Sequence, residues 1–104
     1  MARQEVRNFE VVHNNTWKGF TSTITVNGEP IKIASVSIPF KKDGTTVLEK
    51  TSSSGISISS TVDGQFILNE FLVTLAKGKY TYEVITTLES GAVKTYQLGD
   101  FVVE

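Results

Sequence analysis

The sequence predicts an all-β chain folded as an immunoglobulin-like antiparallel β-sandwich of seven or eight strands. Apolar and polar residues alternate with period two along most of the chain, which is the pattern of half-buried strands. Glycine-containing turns separate these runs at intervals of roughly 8–12 residues, the spacing that is typical of such sandwiches. Valine, isoleucine, threonine, phenylalanine and tyrosine dominate the runs, and no segment shows a convincing helical period.

Length and composition predict one globular domain. The chain has 104 residues, 39% of them hydrophobic and 20% charged, which suffices for a single core without disulfides. It contains no cysteine, so disulfides and thiolate metal sites are excluded. The net charge of −1 argues against a nucleic-acid binder, which needs a basic face. We predict a polar N-terminal arm over residues 1–6 and a single sandwich domain over residues 7–104.

The first strands follow from their alternation. Residues 9–13 and 20–26 each alternate, the second run with a threonine-rich outer face. Residues 27–30 are predicted to turn, because Gly28 supplies a positive φ and Pro30 removes a donor at a strand edge.

A long strand is predicted next, over residues 31–40. The apolar residues of this strand stand at odd positions before Ala34 and at even positions after Ser35. This change indicates a β-bulge or a change of sheet. A turn at residues 41–44 leads into a short strand over residues 46–50.

In the second half, short strands over residues 56–58 and 65–69 flank a turn at Asp63 and Gly64. Residues 71–75 fit either a strand or a short helical turn that crosses between the sheets, and the pattern does not separate these alternatives.

The last two strands are the most regular. Residues 80–88 form the longest alternation, and residues 93–103 return beside them with a bulge predicted at Gly99 and Asp100. Tyr80 is a candidate for the hydroxyl-to-backbone corner found in such sandwiches.

The alternation also predicts the core and the ends of the sandwich. If every strand reverses direction, the loops at 13–18, 41–45, 61–64 and 89–92 share one end. The predicted core consists of Phe9, Val11, Phe20, Ile24, Val26, Val36, Ile38, Ile56, Ile58, Phe66, Leu68, Tyr82, Val84 and Phe101.

Catalytic and metal-binding chemistry is not predicted. His13 is the only histidine, so no imidazole pair exists, and its position beside Asn14 and Asn15 favours a role at a strand end. Each aspartate that adjoins a glycine is explained by turn formation, and no loop holds the several carboxylates that calcium requires. We therefore predict no catalytic residue, no metal site and no cofactor.

Trp17 has two interpretations. It lies in a connection rather than in an alternating run, so it could stack on a sugar or anchor a partner. Alternatively, it caps the end of the core, with its indole N–H bonded to a loop carbonyl. The candidate interaction residues are Trp17, His13, Asn14, Asn15, Arg3 and Arg7.

A series of short turn and core motifs follows the chain over about residues 9–103. They are Thr16-Trp-Lys-Gly-Phe-Thr, Asn27-Gly-Glu-Pro, Gly55-Ile-Ser-Ile, Asp63-Gly-Gln-Phe, Leu75-Ala-Lys-Gly-Lys-Tyr-Thr-Tyr, Gly91-Ala-Val-Lys and Leu98-Gly-Asp-Phe-Val-Val. In their order and spacing, these motifs resemble the N-terminal domain family of phage baseplate upper proteins. This resemblance implies an Ig-like virion component without enzymatic activity.

The expected function is therefore that of a virion structural protein attached to a capsid, portal, tail or baseplate. Its expected partners are other virion proteins, within a homo- or hetero-oligomer, and neither nucleic acid nor membrane. The polar start of the chain lacks a signal peptide, so we expect synthesis in the host cytoplasm without secretion. The alternatives are a module that binds a host-surface glycan or receptor through Trp17, and a bacterial surface domain, against which the missing signal weighs.

Overall fold

The structure is a computed structural model that describes residues 5–26 and 28–104, and these residues form β-strands and turns without a helix. Eight of the thirteen strands have three or more residues, and the fold is the predicted all-β, immunoglobulin-like sandwich. The strands are β1 (Glu5–Val6), β2 (Phe9–Val11), β3 (Thr16–Trp17), β4 (Phe20–Thr23), β5 (Thr25–Val26), β6 (Glu29–Pro30), β7 (Ile33–Lys42), β8 (Thr45–Thr51), β9 (Ile56–Ile58), β10 (Gln65–Leu68), β11 (Phe71–Leu72), β12 (Gly78–Leu88) and β13 (Val93–Val103).

Two main sheets make the sandwich. The larger one has the order β1-β13-β12-β7-β8, with β2 also paired to β13, and the smaller one has the order β4-β10-β9. Strands β1 and β2 run parallel to β13, whereas the other pairings within both sheets are antiparallel. Glu5 and Val6, which the sequence prediction placed in the N-terminal arm, therefore belong to the larger sheet instead. The rest of the predicted arm, residues 1–4, lies outside the described residues.

The core lies between the two sheets and agrees largely with the sequence prediction. Eleven of the fourteen predicted core residues are buried, whereas Phe9, Val26 and Ile58 are half-buried. The alternation runs further along the strands than predicted, because the long strands stay covered almost to their ends. The additional buried apolar residues are Ile33, Phe40, Val73, Tyr80, Leu88, Tyr96 and Val103.

One predicted bulge is confirmed. Thr87 of β12 lies opposite Ser35 of β7 and Leu88 lies opposite Ile33, so Ala34 is the extra residue. This accounts for the parity slip in the sequence.

The bulge predicted at Gly99 and Asp100 is wrong. Both residues keep regular partners on β12, and the shift lies at Tyr96, since Val84 pairs with Gln97 and Ile85 with Thr95. Gly99 serves a different purpose, because a Cβ at this position would collide with the backbone carbonyl of Arg7.

The predicted grouping of loops is also wrong. The loops at 13–18 and 41–45 do share an end, but the loops at 61–64 and 89–92 lie at the other, where the backbone N–H of Glu89 reaches the carbonyl of Lys32. The reason is that the chain crosses from the larger sheet to the smaller one without reversing its direction. Strands β8 and β9 run the same way, with a parallel bridge between Thr51 and Gly55, so every later loop is displaced to the opposite end.

The ambiguous stretch after β10 begins as the two-residue strand β11, and residues 73–75 follow it without a helical turn. Phe71 of β11 pairs with Trp17 of β3, and Val73 is fully buried and exchanges backbone hydrogen bonds with Asn14 and Asn15. This stretch crosses from the smaller sheet to the larger one and covers the end of the core.

Candidate functional site

A buried polar network joins the two sheets where the chain passes from β1 to β2. We call it the Arg7 junction, formed by Arg7, Ser22, Tyr82 and Gln97. The Tyr82 hydroxyl donates to the Arg7 carbonyl at 2.7 Å and accepts from Gln97 Nε2 at 3.0 Å. Ser22 Oγ donates to Gln97 Oε1 at 2.6 Å, which links the smaller sheet to the larger one. The network thus fixes the first strands against both sheets.

The backbone around Arg7 is held by β13. The Arg7 amide donates to the Leu98 carbonyl at 3.0 Å, and the amide of Asp100 donates to the side-chain oxygen of Asn8 at 2.9 Å. Gly99 lies between these two contacts, and its missing side chain leaves the space that the Arg7 carbonyl occupies. The missing side chain of Gly99 therefore allows the backbone at Arg7 to approach β13 closely.

The guanidinium of Arg7 is a half-buried cation on aromatic rings. Its central carbon lies 5.3 Å from the ring centre of Phe9 and 5.2 Å from that of Phe20. Nη1 donates two long hydrogen bonds, to the Thr21 carbonyl at 3.3 Å and to Ser22 Oγ at 3.4 Å. Cation–π contact holds such a group in place and leaves donors over for another partner.

Burial sets the electrostatics of the Tyr82 hydroxyl. Desolvation raises the pKa of Tyr82 above its ordinary value, and the hydrogen bond from Gln97 and the charge of Arg7 oppose this change. The phenol therefore stays protonated and donates to the backbone, which is a structural role.

Trp17 lies in an aromatic cluster. Its ring centre is 5.0 Å from that of Phe9, 5.1 Å from Phe101 and 5.8 Å from Phe71, and the side chain is half-buried. These ring contacts match the packing expected of a cap on the end of the core, whereas the expected bond from the indole N–H to a loop carbonyl is absent among residues 5–26 and 28–104. Glycan binding at this loop stays a prediction.

The other predicted interaction residues divide into two places. His13 is half-buried, and its Nδ1 is 2.7 Å from the Leu75 carbonyl, at the same end of the sandwich as exposed Asn14 and Asn15. Arg7 lies apart from this loop, although it shares the Phe9 ring with Trp17. Arg3 falls outside the described residues.

Sequence reasoning missed Ser22 and Gln97. Gln97 is a polar residue on the inward side of β13 and is 2% exposed, and the inward-facing Ser22 lies in the threonine-rich run of β4. The available signal was a polar residue, Gln97, at a position where the alternation of β13 calls for an apolar one. The bulge at Tyr96 shifts this alternation by one residue and so conceals the signal.

Other polar features of the described chain have structural roles. Tyr80 forms the predicted corner, because its hydroxyl donates to the Ala76 carbonyl at 2.6 Å. Two surface ion pairs join Lys41 to Glu83 and Lys79 to Asp100. Among residues 5–26 and 28–104 no three acidic or imidazole groups come together as metal ligands. No helix within these ranges is long and apolar enough to cross a membrane.

Comparison with known proteins found a likeness among solved structures. No family model matches the chain, and no curated protein matches it. The structure of the fibronectin(III)-like modules of Clostridium thermocellum CbhA is similar to it, with 16% identity and a TM-score of 0.47. The match covers 99% of this chain and 91% of that one.

Proposed function

We propose that the chain is a non-enzymatic structural subunit of a bacteriophage virion, attached to a capsid, portal, tail or baseplate by the edges of its sandwich. The ordered turn and core motifs over residues 9–103 support the virion assignment through their resemblance to baseplate domains. The Arg7 junction supports a non-catalytic role, because its hydroxyl and amide groups bond to each other and to the backbone.

Attachment through sheet edges is the part that the geometry supports best. Within the described residues, the larger sheet ends at β8 on one side and at β1 and β2 on the other, and the smaller sheet ends at β4 and β9. Edge strands present backbone N–H and C=O groups that a neighbouring chain can pair by strand addition. Of the predicted arm, Glu5 and Val6 pair with β13 as β1, so residues 1–4 are the part that we propose as a second contact with a neighbour.

Deletion of residues 2–6 tests the proposal. The purified particles of the phage that encodes the chain are analysed by mass spectrometry, with intact protein and with the truncated form. We expect intact protein in the particles and a truncated form that is not incorporated. The truncated form should still fold, because it loses only the two-residue pairing of β1 with β13 and keeps Arg7 and the core. Lys94→Gln, a change at an exposed position, serves as the control and is incorporated normally.

Two outcomes contradict this account. Absence of the intact protein from purified particles refutes the virion assignment. A truncated form that unfolds shows that residues 2–6 are needed for the core, so they do not act as an arm.

A further inference from the structure

The edges of the two sheets are protected very differently. Strand β8 carries Glu49 and Lys50 and contains a bulge at Val47, since Phe40 pairs with Leu48 and Lys41 with Thr46. Charges and bulges of this kind prevent unwanted pairing at edges. Strand β4 has the sequence Phe-Thr-Ser-Thr, with neither a charge nor a bulge against β10. The edge at β4 is therefore open to a partner.

The backbone of β4 points its free groups outward at two residues. The amide of Ile24 donates to the Gly64 carbonyl, which places Ile24, and by alternation Ser22, in hydrogen-bonded pairs with the neighbouring strand. The backbone N–H and C=O groups of Thr21 and Thr23 therefore point away from β10. The hydrogen bond from Arg7 Nη1 to the Thr21 carbonyl agrees with this direction. An added strand would pair with both threonines.

The surface beside this edge is uncharged. No residue of β4, β9 or β10 carries a charge, although charged residues make up 20% of the chain. Thr21 and Thr23 are exposed, and Ile67 beside them on β10 is 40% exposed. This face of the smaller sheet would not repel a neighbouring sheet of either charge.

The cationic side chain of Arg7 lies at the open edge of β4, on the side that faces the space between the sheets. Arg7 lies over Phe9 and Phe20 and touches Ser22, an inward-facing residue of β4. It forms no ion pair among the described residues, and residues 1–4 and 27 include no acidic side chain. A carboxylate from another chain is the ligand that a guanidinium with spare donors binds best.

We infer that the edge of β4 binds an extended segment of a partner protein, whose backbone pairs with Thr21 and Thr23 and whose inward-facing aspartate or glutamate binds Arg7. This deepens the proposed function by naming the attachment edge and the chemistry of the partner segment. On binding, the long hydrogen bond from Arg7 Nη1 to the Thr21 carbonyl breaks, and a backbone N–H of the added strand donates to this carbonyl instead. The guanidinium then binds the carboxylate of the partner.

Peptide binding to the purified protein tests this inference without a virion. The probe is a short capped peptide of threonine and valine with one central glutamate, and the matched probe carries glutamine instead. Amide NMR shifts and hydrogen exchange locate the bound peptide. We expect shifts and new protection at Thr21 and Thr23, and about tenfold weaker binding of the glutamine peptide.

Variants at the edge supply the controls. Thr23→Pro removes an outward N–H without removing a bond to β10, so the variant folds and loses the peptide. Thr23→Val keeps the N–H and binds normally. Arg7→Lys keeps a charge and a preference for the glutamate peptide, whereas Arg7→Gln loses that preference. Thermal unfolding verifies that each variant is folded.

Four results would overturn the inference. The first is peptide protection at β8 or β9 in place of β4, and the second is equal binding by Thr23→Pro. The third is a protein dimer in sedimentation that Thr23→Pro dissociates, because β4 would then pair with a second copy. The fourth is normal incorporation of Thr23→Pro into particles, which would refute attachment through β4 and leave the virion assignment intact.

Discussion

At the scale of single residues, the hydroxyl of Tyr82 joins two groups of the Arg7 junction, the Arg7 carbonyl and the Gln97 side-chain amide. Tyr82→Phe leaves the Arg7 carbonyl without this donor and the buried Gln97 amide without this acceptor. Because unpaired buried groups keep their full desolvation cost, we expect the free energy of unfolding to fall by about 1–3 kcal/mol. Urea denaturation measures the change, and a variant as stable as the parent would show that the junction is dispensable.

The same residue predicts a pH dependence. Burial raises the folded-state pKa of Tyr82 above its unfolded value, so the folded state holds the proton more tightly. This contribution to stability is present below the unfolded pKa and is lost as the pH rises through the folded pKa. Between about pH 8 and about pH 11, Tyr82→Phe should therefore lose less stability than the parent, as measured by denaturation at each pH. Equal losses would show that other groups dominate.

Thr86 gives the opposite case. Its side chain is fully buried on β12, and its hydroxyl has no hydrogen-bond partner among the described residues. Thr86→Val has nearly the same shape and removes a desolvated polar group, so we expect a gain of about 1 kcal/mol in the free energy of unfolding. Differential scanning calorimetry should show a higher Tm. A lower Tm would show that the hydroxyl is satisfied, for example by a bound water.

At the scale of elements, the attachment of β1 and β2 depends on Gly99. In Gly99→Ala the new methyl group meets the carbonyl of Arg7, a backbone atom that cannot turn aside as a flexible side chain would. We expect faster hydrogen exchange at the amides of Arg7 and Asp100, while the pairing of β12 with β7 remains protected. Unchanged exchange at those two amides would mean that the first strands tolerate the displacement.

Sequence patterns predicted some elements well and others poorly, for local reasons. Asp43 and Gly44 have φ values of 53° and 81°, so the turn between β7 and β8 was readable from its two residues. Pairing with distant residues was not readable. The bulge at Tyr96 depends on β12, and the short strand β11 depends on β3, so neither leaves a complete signal in its own segment.

At the scale of the whole molecule, stability comes from the apolar layer between the sheets. Ile24 is 6% exposed and belongs to that layer, whereas Ile67 is 40% exposed on the outer face of the smaller sheet. Ile24→Ala should lower the free energy of unfolding by about 2–4 kcal/mol, through lost burial and an unfilled cavity. Ile67→Ala is the matched control and should cost less than about 1 kcal/mol. Equal losses in chemical denaturation would contradict this assignment of the core.

The fold class was predictable because burial on one face imposes period two on every strand. The path of the chain was predictable only as far as β8. Beyond β8, the chain crosses to the other sheet and β9 runs in the same direction as β8. Such a crossing does not change the alternation of polar and apolar residues, so the sequence pattern does not reveal it. The Arg7 junction was also hidden, because it brings together residues far apart in the sequence, such as Ser22 and Gln97.

The parallel pairing of β2 with β13 has a consequence for synthesis of the protein. Phe9 lies opposite Phe101, so β2 is made long before its partner strand β13. At about 5–20 residues per second, a ribosome exposes β2 for several seconds before β13 appears. During that time Phe9 lacks its partner strand and Trp17 lacks its ring contact with Phe101, so we expect both side chains to be accessible to chaperones. We expect the sandwich to close only after β13 has left the exit tunnel.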